Sequence, residues 1–242
     1  MPVLRRAHPL RQVRLIAAHH RSHASDRMLA AILAGIAGCA NAGGFVLIGS
    51  YTSHMTGYLS QAADQLVLHN IGLVVKSVLA IALFVCGAAT SAFLINWARR
   101  HRRSRQYALP IGLQGALFLA LAGLGALPLS PHLMTHLGLG LISFIMGLQN
   151  ATITKLSGAR IRTTHATGMI TDVGIELGRA AYGAACHDAA LHADGGKLSI
   201  LLQLLSVFFG GGIIGALGYG QFGYAFSLPL AAILLTLALI KR

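Results

Sequence analysis

The chain has 242 residues, of which 55% are hydrophobic and only 10% charged, and its mean hydropathy is +0.67. That balance excludes a soluble domain of ordinary composition. The formal charge of +13 sits in short Lys/Arg clusters between long apolar runs, which speaks against the continuous basic face of a nucleic-acid binder.

Residues 1–27 form a basic arm with Arg5, Arg6, Arg11, Arg14, Arg21 and Arg27, four histidines and no acid before Asp26. A basic arm ahead of a first span is what the positive-inside rule expects of a cytoplasmic terminus, and Ser25-Asp26 predicts a helix N-cap. A bilayer core of about 30 Å needs about 20 apolar residues of helix. That length fits six predicted spans: Met28–Gly49, Leu73–Ile95, Leu109–Leu127, Met134–Ala151, Leu198–Tyr219 and Phe222–Ile240. The breaks fall at the charged run Arg99–Arg105, at Pro128-Leu129-Ser130-Pro131 and at Gly218-Tyr219-Gly220.

With the N-terminus inside, Arg99–Arg105, the cluster Lys155, Arg160, Arg162, Arg179 and Lys197, and Lys241-Arg242 all fall inside, while the outer connections carry no Lys or Arg. Lys76, early in the second span, is the one basic residue near the outer face and can snorkel to it. A seventh crossing after His165 would drag Asp172, Glu176 and Arg179 through lipid. The expected location is therefore the cell (inner) membrane, multi-pass, with both termini cytoplasmic.

The chain also repeats itself. Gly38-Cys39-Ala40-Asn41-Ala42 and Gly147-Leu148-Gln149-Asn150-Ala151 share G-x-x-N-A at an offset of 109 residues. Thr52-Ser53-His54-Met55-Thr56-Gly57 and Thr163-Thr164-His165-Ala166-Thr167-Gly168 share T-[ST]-H-x-T-G at an offset of 111. The expected fold is thus an all-α polytopic membrane protein, with residues 28–128 and 134–240 as two three-span repeats. An odd number of spans turns the second repeat over relative to the first. The segments following each Thr-Gly are too short and polar to span, and predict short re-entrant or interfacial helices with Thr56 and Thr167 as N-caps. Re-entry from opposite faces would aim two positive helix ends inward, which suits an anionic or dipolar guest.

Candidate solute-binding residues are accordingly Asn41, Thr52, His54, Thr56, Gly57, Asn150, Thr163, His165, Thr167 and Gly168. The matched histidines could relay a proton or bind solute, or simply tie a loop carbonyl; the asparagines read more naturally as partners for backbone exposed at a helix break. Asp172, Glu176 and Arg179 share one helical face, either as a solvated, locally paired cluster or as a proton or cation site. Gly210-Gly211-Gly212 and Gly215 permit close helix packing, within one chain or in a homo-oligomer. Cys39, Cys86 and Cys186 lack metal-ligand spacing, and no nucleophile, Walker or metalloprotease motif gives an enzyme reading an anchor, so neither catalysis nor a cofactor or metal is expected.

Through Asn41-Ala42-Gly43-Gly44-Phe45, Gly49-Ser50-Tyr51-Thr52-Ser53-His54-Met55-Thr56-Gly57 and His165-Ala166-Thr167-Gly168, residues 28–240 resemble the YoaK-like family of bacterial inner-membrane proteins, a domain of unknown function. The resemblance implies fold and location. It also implies an Asn after the first Thr-Gly, where this chain carries Tyr58. A permease or channel for a small polar or anionic solute is the leading expectation, with the lipid bilayer as the other partner. The alternative is a non-transporting structural, sensory or partner-binding component.

Overall fold

The computed structural model describes residues 23–101, 106–156, 166–186 and 192–239. It is all-helical over these residues: α1 (His23–Ile48), α2 (Met55–Val67), α3 (Ile71–His101), α4 (Ala108–Leu124), α5 (Pro131–Leu156), α6 (Ala166–Cys186), α7 (Gly195–Phe222), a 3-10 turn (Gly223–Phe226) and α8 (Ser227–Leu239).

Four stretches among the described residues are long and apolar enough to cross a membrane: Arg27–Ile48, Ile71–His101, Pro131–Leu156 and Gly195–Leu239. At 1.5 Å per residue, the last would be about twice the thickness of a bilayer core, and it is broken at Gly223, whose φ of 55° lies in the left-handed region. The expected break at Gly218-Tyr219-Gly220 is therefore corrected: α7 runs through those glycines, and Gly218 lies under the Phe226 ring, where a Cβ has no room. Two other boundaries move. α1 already runs from His23, so Ser25-Asp26 are not its cap, and Pro131 opens α5, where the missing N–H costs no hydrogen bond.

The helices form a layered bundle with α1 and α5 at its centre. Their apolar windows are 56% and 61% buried, against 22% for α3. α3 and α7 instead turn large side chains outward, among them Val85, Phe93, Phe209, Ile214 and Leu217. Apolar belts of that extent are a liability in water and are the proper surface for lipid, so the chain is a membrane protein.

α1 packs most closely on α7, α3 on α5, and α4 on α8. The first two crossings are built alike. In α1–α7, a Cβ on Gly38 would strike the Phe208 carbonyl, and one on Gly211 the Gly35 carbonyl. In α5–α3, a Cβ on Gly147 would strike the Phe84 carbonyl, and one on Gly87 the Phe144 carbonyl. Gly35 and Gly38 stand 109 residues before Phe144 and Gly147, and Phe84 and Gly87 stand 124 before Phe208 and Gly211. Backbone contact through glycine is how helices associate where lipid supplies no hydrophobic drive.

The caps match too. Asn70 Oδ1 accepts the Leu73 amide (3.3 Å) ahead of α3, and Asp194 Oδ1 accepts the Lys197 amide (3.0 Å) ahead of α7, again 124 residues on. The change of offset from 111 to 124 is taken up between the starts of α6 and α7, where α6 has 21 residues against 13 in α2.

Candidate functional site

After α1, the chain folds back along it. Gly49, with φ of 70°, makes the turn, and Ser53 is caught by Asn41, two turns before the end of α1. Asn41 Oδ1 accepts both the Ser53 amide (3.1 Å) and the Ser53 hydroxyl (2.8 Å). Thr52 is fully buried against Gly44, the nearest atom to whose missing Cβ is the Thr52 methyl at 2.9 Å. Among the described residues the Thr52 hydroxyl has no hydrogen-bond partner.

His54 then occupies the N-cap position of α2, exposed and making no side-chain cap bond. Its ring lies across Gly57, leaving no space there for a Cβ. Thr56 is the second residue of α2 and not its cap, because the backbone of Met55 is already helical. α2 returns antiparallel to α3 through a turn at Leu68–Asn70, and Ser77 Oγ donates to Gln61 Oε1 (2.9 Å) midway along the hairpin.

In the second half, Asn150 lies half-buried in α5, and Thr154 Oγ1 donates to its carbonyl (2.7 Å). Thr163 and His165 lie outside the described residues. Thr167 is the second described residue of α6, as Thr56 is of α2; its carbonyl accepts the Thr171 hydroxyl (2.9 Å), and Gly168 follows half-buried.

Asp172 and Glu176 come together with Lys197 and not with the Thr-Gly segments. Lys197 Nζ lies 3.2 Å from Glu176 Oε1 and 3.5 Å from Asp172 Oδ1, and Arg179 stands 3.7 Å from Glu176 Oε2. Glu176, 1% exposed, also accepts the Asp194 amide (3.0 Å). That backbone hydrogen bond and the Lys197 ammonium hold the Glu176 carboxyl below the usual glutamate range. The group docks α6 onto the start of α7.

Sequence reasoning missed the polar centre of the bundle. Gln149, buried in α5, donates to the Leu33 carbonyl of α1, and its Oε1 accepts from Gln114 Nε2 of α4 (2.8 Å). Ser91 and Thr152 pair their hydroxyls at 2.8 Å across α3–α5. The signal lay in polar residues interrupting apolar spans, but nothing in the spacing pairs Gln114 with Gln149. An apolar groove of about 870 Å³ between α3, α4 and α5, lined by Leu83, Leu117, Leu141 and Phe144 with His136 as its only polar residue, is lined by none of the candidate residues. Among the described residues, no three His, Cys, Asp or Glu side chains gather as metal ligands.

A family described as "Protein of unknown function (DUF1275)" matches residues 29–240. The chain belongs to that family. The match covers all of the described helices from Leu29 of α1 to the end of α8, in keeping with the YoaK-like resemblance. No curated protein and no solved structure matches this DUF1275 member.

Proposed function

We propose that this DUF1275 protein is a six-span permease or channel of the cell membrane for a small polar or anionic solute, built from two inverted three-span repeats with a re-entrant helix in each. The observation that carries the reading is the pair of ties, Asn41 to Ser53 and Ser77 to Gln61, from which we infer the depth of the first turn of α2. The α1–α7 backbone contacts, Gly35 with Gly211, Gly38 with Phe208 and Cys39 with Gly215, fall within a turn of Ile36-Ala37, and the α3–α5 contacts within a turn of Val85-Cys86 and Ile145-Met146. The Gln149–Leu33 bond and its equivalent pair, Ala40 and Ile142, centre on the same residues of α1 and α5. One level thus runs through the bundle, and we take it as the bilayer midplane.

Asn41, which holds Ser53, lies about 7 Å from that level at 1.5 Å per residue. Independently, Ser77 lies about 13 Å from it, and α2 descends from Gln61 toward it, which brings Thr56 to within about 6 Å. On both routes we read His54, Thr56 and Gly57 as lying deep in the membrane. The 111-residue correspondence gives α6, Thr167 and Gly168 the mirrored place from the other side, and inverted repeats characteristically bind substrate where such broken segments meet.

α4, with 17 residues, and the 17 residues of the 3-10 turn plus α8 pack together as the third and sixth crossings. Basic residues close α3 (Arg99, Arg100, His101) and α5 (Lys155), which supports cytoplasmic termini. His54 is the natural proton-linked group. Asp172 and Glu176, already engaged with Lys197, serve the inner end of the path as an electrostatic latch.

The test is flux in proteoliposomes with phosphate, chloride and acetate as probes. Thr56→Trp, which fills the α2 entry, should abolish flux of a transported probe, and His54→Gln should flatten its pH dependence. No flux of any probe, together with no protection of a Thr56→Cys thiol by any probe, would favour the non-transporting alternative. Asn41, whose Oδ1 is taken up in holding Ser53, is what that alternative would predict.

A further inference from the structure

Where the matched halves depart from each other in chemistry, one place in the first half collects polar groups that the second replaces with apolar ones. Tyr58, in the first turn of α2, is 5% exposed, and its hydroxyl turns toward Ser50 without completing a hydrogen bond among the described residues. Lys76, on α3, reaches the same Ser50, with Nζ 3.4 Å from Oγ. Among the described residues, no carboxylate pairs with Lys76. The positions equivalent to Tyr58 and Lys76, by the offsets of 111 and 124, are Met169 and Ile200. Met169 is 6% exposed, so the backbone there accepts an apolar side chain as readily as a phenol.

A buried phenol without a partner and a cation without a counter-charge are each unfavourable, and an acceptor carrying negative charge relieves both. Lys76 lies about 14 Å from the crossing level, at the edge of the hydrocarbon, where an aqueous ion or a headgroup can reach it.

We propose that Lys76, Ser50 and Tyr58 form an oxyanion site at the mouth of the α2 re-entrant segment, taking a tetrahedral phosphate-type group. Lys76 supplies charge, and the Tyr58 and Ser50 hydroxyls donate to two of its oxygens. This deepens the transport reading, and rests on it, by naming the solute class met first on the α1–α2 side. A free phosphate and the phosphate of an anionic lipid present the same oxygens, and the two sources are separable.

The experiment uses the full chain purified in a zwitterionic detergent, with inorganic phosphate as the probe and chloride at equal ionic strength as the control. Phosphate should raise the unfolding temperature saturably where chloride does not. Lys76→Gln should weaken that binding about tenfold or more, the worth of one charge-assisted hydrogen bond. Tyr58→Met, which imposes the buried residue of the second half, should weaken it several-fold and keeps the test open should Lys76→Gln fail to fold. If free phosphate has no effect but native mass spectrometry finds phosphatidylglycerol retained by the wild type and lost from Lys76→Gln, the site takes a lipid phosphate. If the wild type and both variants bind phosphate and phosphatidylglycerol alike, or bind neither, the site does not exist. The depth of Thr56 is measured separately, so the re-entrant reading can fail or stand without this one.

Discussion

Asn41 holds Ser53 by two hydrogen bonds to a single oxygen, at 3.1 Å from the amide and 2.8 Å from the hydroxyl, and so fixes the descent of the chain between α1 and α2. Asn41→Ala strands an amide and a hydroxyl in a part-buried position. It should cost about 1–3 kcal/mol, read as a lower unfolding temperature and faster labelling of a Ser53→Cys thiol. Unchanged labelling would mean that the loop is held by Thr52 and Gly44 alone.

Gly210 and Gly211 are neighbours with opposite predicted behaviour. A Cβ on Gly210 meets nothing within 4 Å, whereas one on Gly211 meets the Gly35 carbonyl. Gly210→Ala should be neutral or stabilising by up to about 1 kcal/mol through helix propensity. Gly211→Ala should cost about 1–3 kcal/mol through overpacking, as should Gly87→Ala at the matched crossing. Thermal unfolding of the three variants in detergent decides this.

Gln149→Leu removes the donor to the Leu33 carbonyl and leaves the Gln114 amide buried without its acceptor. A loss of about 1–3 kcal/mol is expected. Adding Gln114→Leu should recover much of it, since removing both partners spares the stranded amide. A double-mutant cycle showing simple additivity would contradict the pairing.

The Glu176 carboxyl is held below its ordinary range, chiefly by the Asp194 amide and then by Lys197. Its contribution is therefore present above the unfolded glutamate pKa and is lost as pH falls through the lowered folded value. Protection of the Asp194 amide against hydrogen exchange, corrected for intrinsic rate, should fall on acidification in the wild type. In Glu176→Gln it should start lower and show no such pH step.

The all-helical character and the long apolar stretches were legible because lipid imposes a length and a composition on each crossing. Asn41 as a tie for interrupted backbone was legible for a similar reason: a polar group within an apolar helix demands a partner. Breaks were less so. Gly218 and Gly220 look like punctuation, yet they stay helical, and only the tertiary contact of Phe226 with Gly218 explains the first. The meeting of Gln114 with Gln149 and that of Lys197 with Glu176 depend on which helices become neighbours, which periodicity within one segment does not encode.

Spin labels at Thr56 and Val67, with the native cysteines replaced, measure the direction of α2 in the membrane directly. Both positions are exposed, so labels there leave the packing intact. Relative accessibility to oxygen and to a water-soluble nickel chelate should place Val67 near the membrane surface and Thr56 within about 6 Å of the midplane, with Thr167 at a matching depth from the opposite side. Equal, shallow depths at Thr56 and Val67 would make α2 a surface helix and contradict the re-entrant site.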